Sequence, residues 1–193
     1  MLRPYAPHDY EAVHSMSTET GMWRYSERGP MAPEESWTRL LRHAGHWALH
    51  GYGAFAIEEK ATGLLVGEAG FADFRRGFGA DFDPFPEACW SIRADRQERG
   101  YATEAAEAAL AWLEEKLGAK RTVCLIHAAN VPSHRVAAKL GYVSFRPVKY
   151  RGYHALLLQR DAGASRKVAD GGRRRATSGK ASPRKGHVGA GVP

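Results

Sequence analysis

Cysteine is scarce in this chain: Cys89 and Cys124 are the two present, 35 positions apart, each inside an apolar strand-like run. That setting speaks against a disulfide framework and a thiolate metal pair, and predicts two small buried hydrophobes in a reducing compartment. No apolar run approaches the roughly 18 residues that a membrane helix needs. The opening MLRPYAPHDYEAV lacks a basic segment leading into an apolar one, so it does not read as a secretory signal. The expected location is the cytoplasm, with no membrane contact.

Net charge is absent from most of the chain as well. Residues 1–162 hold 20 Lys/Arg against 20 Asp/Glu, whereas residues 163–193 hold 8 Lys/Arg and the single acid Asp170. The whole excess of +7 therefore sits in the last stretch. That stretch has no aromatic residue and is rich in Gly, Ser, Ala and Arg. It cannot bury enough apolar surface to offset its ordering entropy, so a disordered basic tail is expected at 163–193, after a folded domain at 1–162. Its RRR run can hold phosphates electrostatically, although charge runs more often simply face water.

Within the domain, Tyr10, Val13 and Met16 have helical spacing behind Asp9 or His8. Pro33 opens a second helix through Trp37, Leu40, Leu41 and Trp47 that stops at Gly51. GAFAIEE and LLVGEAGFADF read as strands joined by a KATG hairpin turn, and ACWSI as a further strand after a loop rich in Gly, Pro and Phe. A helix with Ala106, Leu110, Leu113 and Leu117 on one face runs to Gly118, followed by the buried strand RTVCLIHA. A short helix, PSHRVAAKLG, and two terminal strands complete the order. Antiparallel hairpins with one strand–helix–strand crossover predict an α+β fold, a mixed and mostly antiparallel twisted sheet flanked by helices.

The segment RQERGYATEAAEAAL places Gly100 and Ala102 where the long helix begins. The first four amides of a helix lack intrahelical partners and carry about half a positive charge between them. A phosphate fits there when no side chain obstructs it, with Gln97 and Arg99 as rim donors. A glycine before a helix is as often plain punctuation. The segment has neither the G-K-[ST] of a Walker loop nor G-x-G-x-x-G.

QERGYATEA, with Gln97, Gly100 and Ala102 as Q-x-x-G-x-A, resembles the acyl-CoA-binding motif of the GNAT N-acetyltransferase superfamily. The later N-x-x-S-x-R-V-x-x-K-L-G-Y, from Asn130 to Tyr142, is similar to the next motif of its RimJ/RimL-type branch. EACWSI, LRPY and TGLLVGEAGF fall in order, so the resemblance spans about residues 2–160 and leaves the tail without a counterpart. It implies central strands that splay apart, here ACWSIRA and RTVCLIH, with the pantetheine arm of acetyl-CoA between them. It further implies main-chain pairing to the arm by Ile92 and Ala94. The diphosphate would rest on the backbone of Glu98, Arg99, Gly100, Tyr101, Ala102 and Thr103. Asn130 would lie near the thiol and Ser133 beside the sulfur, while Arg135 and Lys139 reach outer phosphates. Acetyl-CoA is then the cosubstrate, and no metal is implied.

Many members of this superfamily carry a tyrosine acid seven residues beyond that asparagine, where this chain has Ala137. A free thiol has a pKa of about 8.5, so a thiolate can leave with hydrogen-bond support alone, a role the resemblance gives to Ser133. Asn130 and Ser133 also suit a plain helix cap. Glu68 and Glu87 are the candidate bases for deprotonating the amine, Glu87 matching the branch's E-x-G-W glutamate although Cys89 replaces the glycine. A strand-end glutamate is as well explained by a paired charge. Ile92 N–H would meet the oxyanion. The expected activity is direct acetyl transfer to a primary amine, a protein N-terminus or a small molecule, by a monomer or homodimer. The contrasting reading is a non-catalytic acyl-CoA-binding or RNA-associated module that works through its basic tail.

His43, His46 and His50 share one helix face, yet no carboxylate or thiol of that helix completes a zinc set. Trp23, Tyr25 and the Phe-rich loop are expected to line the acceptor pocket or to anchor the core. A valine at Gly100 is expected to block the phosphate with little loss of folding.

Overall fold

The computed structural model describes residues 1–19, 24–25 and 29–163. Trp23 and positions 164–193 of the expected tail lie outside them. The chain enters through β1 (Leu2–Arg3), which is too short to show an alternation. Arg3 fixes this corner: its Nε donates to Glu58 at 2.7 Å and its terminal nitrogens to Asp9 at 2.8 and 2.7 Å. Helix α1 (Tyr10–Thr18) follows, burying Val13 and Met16. Helix α2 (Pro33–His50) starts on a proline already lacking its N–H, and the Glu35 carboxylate accepts the Ala32 N–H at 2.9 Å. It ends at Gly51, whose φ of +70° suits a residue without Cβ. Of its apolar markers, Leu40 is buried, but Trp37 and Leu41 are 41 % and 52 % exposed. They face outward.

Strands β2 (Ala54–Glu58), β3 (Leu65–Ala72) and β4 (Glu87–Ile92) form an antiparallel meander. Helix α3 (Tyr101–Leu117) crosses over to β5 (Arg121–His127), parallel to β4. Helix α4 (Val131–Lys139) then leads to the hairpin of β6 (Val143–Tyr150) and β7 (Tyr153–Asp161). The seven strands run in the order β1-β2-β3-β4-β5-β7-β6, all neighbours antiparallel except β4 and β5. This is the expected α+β architecture.

Strand alternation decides which helix covers which face. Ile57 packs with Ala105 of α3, whereas its neighbour Ala56 packs with Met16 of α1. Likewise Cys124 faces α3 and α4 in the main core, whereas Val123 meets Phe82 and Leu157 under the 73–86 loop. Helices α3 and α4 therefore back one face, and α1, α2 and the loop cover the other. Leu113, 1 % exposed, anchors α3, and truncating such a leucine to alanine costs about 2–5 kcal/mol. Leu117, expected on the same face, is instead 47 % exposed at the helix end. Both cysteines are free thiols, Cys124 buried and Cys89 half-buried. Burial pushes both thiols up, so neither stands ready as a thiolate.

Candidate functional site

Strands β4 and β5 touch at one register pair, Glu87 with Val123, supported by the Val123 N–H to Pro86 carbonyl bond of 3.1 Å. Beyond it the ladder stops, and the strands part toward Ile92 and His127. The Arg93 N–H donates to Val66 on β3 at 2.9 Å, so alternate residues of β4 bond to β3. Trp90 and Ile92, of opposite parity, direct their N–H groups into the gap. The Ile92 carbonyl is capped by Gln97 Nε2 at 3.0 Å, and the Ala94 N–H by a Glu19 carboxylate oxygen at 2.9 Å. Expected main-chain pairing at Ala94 thus competes with Glu19, whereas the Ile92 N–H faces the gap. Such an edge can receive an extended, amide-bearing chain as an added strand.

At the wide end of the gap lies the start of α3. The first backbone bond closing that helix runs from Glu104 N–H to the Gly100 carbonyl at 3.1 Å, so the amides of Tyr101, Ala102 and Thr103 have no partner inside it. Glu98 at φ +62° and Gly100 at φ +86° are both left-handed, which curls the chain into a concavity of amides suited to an anion. Gln97, Glu98, Arg99 and Gly100 are exposed. Among the described residues, a Cβ on Gly100 would meet nothing within 4 Å, so none of them fills that approach. The positive φ alters one expectation: valine here is strained in the backbone itself, at a cost of at least about 1–2 kcal/mol of stability. The Tyr101 hydroxyl donates to Glu59, tying the helix start to the β2–β3 turn.

Across the gap, Asn130 caps α4 by accepting the Ser133 N–H at 3.1 Å. Ser133 is half-buried and Arg135 exposed on the same helix. Ala137 is fully buried in the core between α4 and the sheet. The position that carries a tyrosine elsewhere is here a packing site.

The two candidate bases share the α2 face of the sheet but have different surroundings. Glu68, 6 % exposed, is ion-paired to Arg39, lies 3.2 Å from His43 Nε2, and accepts the Tyr5 hydroxyl at 3.2 Å. Burial alone would push its carboxyl up, but the Arg39 charge and the His43 contact outweigh that and hold it well below the usual carboxylate range. Glu68 is a locked anion, unsuited to taking a proton at neutral pH. Glu87 stands at the vertex of the gap. Arg76 grips both its oxygens, Nε at 2.6 Å and Nη2 at 2.8 Å, and reaches the Tyr150 hydroxyl through Nη1 at 2.9 Å. Burial still raises the Glu87 carboxyl, with Arg76 opposing it. Of the two, Glu87 has the affinity for a proton that a base needs.

Sequence spacing did not single out His127 at the open end of β5. Its Nδ1 accepts the Ala129 N–H at 3.0 Å, so the proton of the neutral ring belongs on Nε2. The ring stacks on Tyr153 with centroids 5.0 Å apart and lies 5.6 Å from Tyr25. Tyr150 meets Tyr153 edge-on at 5.8 Å, so rings continue from His127 to the Arg76–Glu87 pair. Only the three-dimensional pairing of β5, β6 and β7 brings these residues together. Of the α2 histidines, His43 stacks on Tyr5, whereas His46 stacks on His50 at 4.4 Å, contacts the Tyr52 carbonyl at 2.7 Å and accepts the Asp73 N–H at 2.8 Å. Along α2 a cavity of ≈ 430 Å³ is lined by Met31, Glu34, Glu35, Thr38, Arg39 and Arg42.

Residues 1–143 match the family described as the acetyltransferase (GNAT) domain. The chain is 24 % identical over 141 residues to the uncharacterized N-acetyltransferase YnaD of Bacillus subtilis (strain 168), covering 73 % of this chain and 77 % of that protein. Its structure is similar to that of a GNAT-family acetyltransferase from Bordetella pertussis, with a TM-score of 0.74, 34 % identity, and coverage of 82 % and 93 % of the two chains. It shares a fold with YncA of Salmonella typhimurium, a structure containing acetyl-CoA, at a TM-score of 0.64, 19 % identity, and coverage of 83 % and 92 %.

Proposed function

This chain belongs to the GNAT acetyltransferase family, and we propose that it moves the acetyl group of acetyl-CoA to a primary amine by direct attack in a ternary complex. The observation that carries this reading is the single β4–β5 bridge at Glu87 and Val123, with unpaired amides beyond it and an open amide concavity at the end of the gap. The presence of acetyl-CoA in a fold neighbour supports it. The spacing from Gln97 to Tyr142 supports placement in the RimJ/RimL-type branch. The catalytic domain is assigned to residues 1–162, in the cytoplasm.

In this proposal the CoA diphosphate rests on the amides of Glu98 to Thr103, with Gln97 and Arg99 at the rim and Arg135 toward the outer phosphates. The helix end supplies the charge complement. The pantetheine arm adds to β4 through Ile92, and to the Ala94 backbone only if Glu19 yields. Asn130 meets the arm from α4. The acetyl carbonyl then lies deeper, toward the vertex, where the Trp90 N–H takes the oxyanion role first expected of Ile92.

The neutral amine attacks the thioester carbon, forming the C–N bond, and the tetrahedral intermediate collapses with loss of the C–S bond. Glu87 takes the amine proton through water, and Ser133 donates a hydrogen bond to the departing thiolate. Glu68, already locked by Arg39, sets the local charge rather than moving protons. Release of free thiol when protein, acetyl-CoA and an amine panel are combined tests the reading. Deletion after Ala162 is expected to leave transfer to small amines intact.

A further inference from the structure

The side of the gap that faces α2 has an unusual chemistry for a site receiving a cation. Among the described residues, both of its carboxylates are already paired. Glu87 is held at both oxygens by Nε and Nη2 of Arg76, and Glu68 by Arg39 beside His43. The wall presents rings: His127 stacked on Tyr153, Tyr25 tilted against His127, then Tyr150, with Phe78 at 5.5 Å from Tyr150. His127, Tyr150 and Tyr153 remain half-buried, so part of each is open. The rim is cationic, with Arg24 over Tyr25 at 5.7 Å and Arg151 over Tyr150 at 5.2 Å. Glu34 and Glu35 line the α2 cavity together with Arg39 and Arg42.

From this arrangement we infer that the acceptor is a monoamine with an aromatic or apolar body, rather than a polycation such as a polyamine or an aminoglycoside. The inference rests on the transferase reading above and names the substrate class of the same site. A flat apolar body stacks against Tyr153 and His127, and its single amine points toward the vertex at Glu87. Ring pairs of this geometry add about 0.5–1.5 kcal/mol beyond burial. Among the described residues, a second or third ammonium finds no unpaired carboxylate beside these rings and meets the arginine rim instead.

The test is a competition assay with acetyl-CoA, setting 2-phenylethylamine against spermidine and kanamycin. Saturation-transfer NMR of 2-phenylethylamine on the CoA-loaded protein runs beside it. The expected result is preferred acetylation of 2-phenylethylamine and ring-proton saturation. Tyr153→Ala should raise its KM on the order of tenfold, with the acetyl-CoA KM unchanged. Tyr153→Phe, which keeps the ring and the hairpin, should recover most of the KM lost in Tyr153→Ala. Preference for spermidine or kanamycin would overturn the inference while leaving the transferase reading standing. Saturation without thiol release from any amine would support the acceptor class and sink the transferase reading. No saturation would overturn the inference whatever the turnover.

Discussion

Among the described residues, Glu87 and Val123 are the one register pair joining β4 to β5. The same residue that closes the sheet at this point also carries the buried carboxylate at the vertex of the gap. A parallel pair that stopped elsewhere would put Glu87 out of reach of anything lying between the strands. Glu87→Gln preserves shape and removes the proton acceptor. Its kcat should fall by roughly 10²–10⁴-fold while acetyl-CoA binding, measured by calorimetry, changes little. The raised carboxyl sets the pH profile: the base form exists above its pKa, so kcat/KM should fall as pH drops through a value above the ordinary glutamate range. An unchanged profile in Glu87→Gln would assign the base elsewhere.

Gly100 offers a variant whose two effects separate. With φ at +86° and no atom of the described residues within 4 Å of a Cβ, Gly100→Ala pays only backbone strain, about 1–2 kcal/mol in urea unfolding. The methyl group projects where the diphosphate is proposed to lie, so acetyl-CoA Kd should rise as well. Loss of stability with unchanged Kd would move the phosphates away from this turn.

Asn130 caps α4 through its side-chain oxygen. Asn130→Ala should cost about 1 kcal/mol of stability. Asn130→Asp keeps the accepting oxygen and removes the amide donor. It should unfold like the parent but bind acetyl-CoA more weakly, read by thermal melts and calorimetry together.

Glu68 gives a stability prediction with a definite sign. Its folded-state carboxyl is held below the unfolded value, so its contribution is fully present above about pH 4.5 and disappears as pH falls through the lowered folded value. Glu68→Gln leaves the half-buried Arg39 without its counter-charge. Removing one partner of such a pair costs about 3–5 kcal/mol. Urea unfolding at pH 7 should show that loss, and the difference from the parent should shrink toward low pH.

What the sequence made legible was mostly local. Gly100 and Gly118 bound α3 because each takes a left-handed φ at a helix end, and those residues stand side by side with the helix they punctuate. The strand–helix–strand crossover was readable for the same reason. Trp37 and Leu41 misled because apolar spacing cannot tell a core-facing residue from one left on the outward side of a helix that packs by its other side. Whether Glu68 is a base or a paired charge was not legible because its partners, Arg39 and His43, lie on another element. The ring cluster of Tyr25, His127 and Tyr153 draws on three separated segments, so no window of sequence contains it.

The most direct measurement is an amide-resolved NMR titration of the protein with acetyl-CoA. The expected result is a shift and slowed exchange at Trp90, Ile92 and Tyr101 to Thr103, the amides left unpaired along the gap and at the start of α3. Saturable shifts confined to the α2 cavity around Thr38 and Arg42, with those amides unmoved, would contradict it.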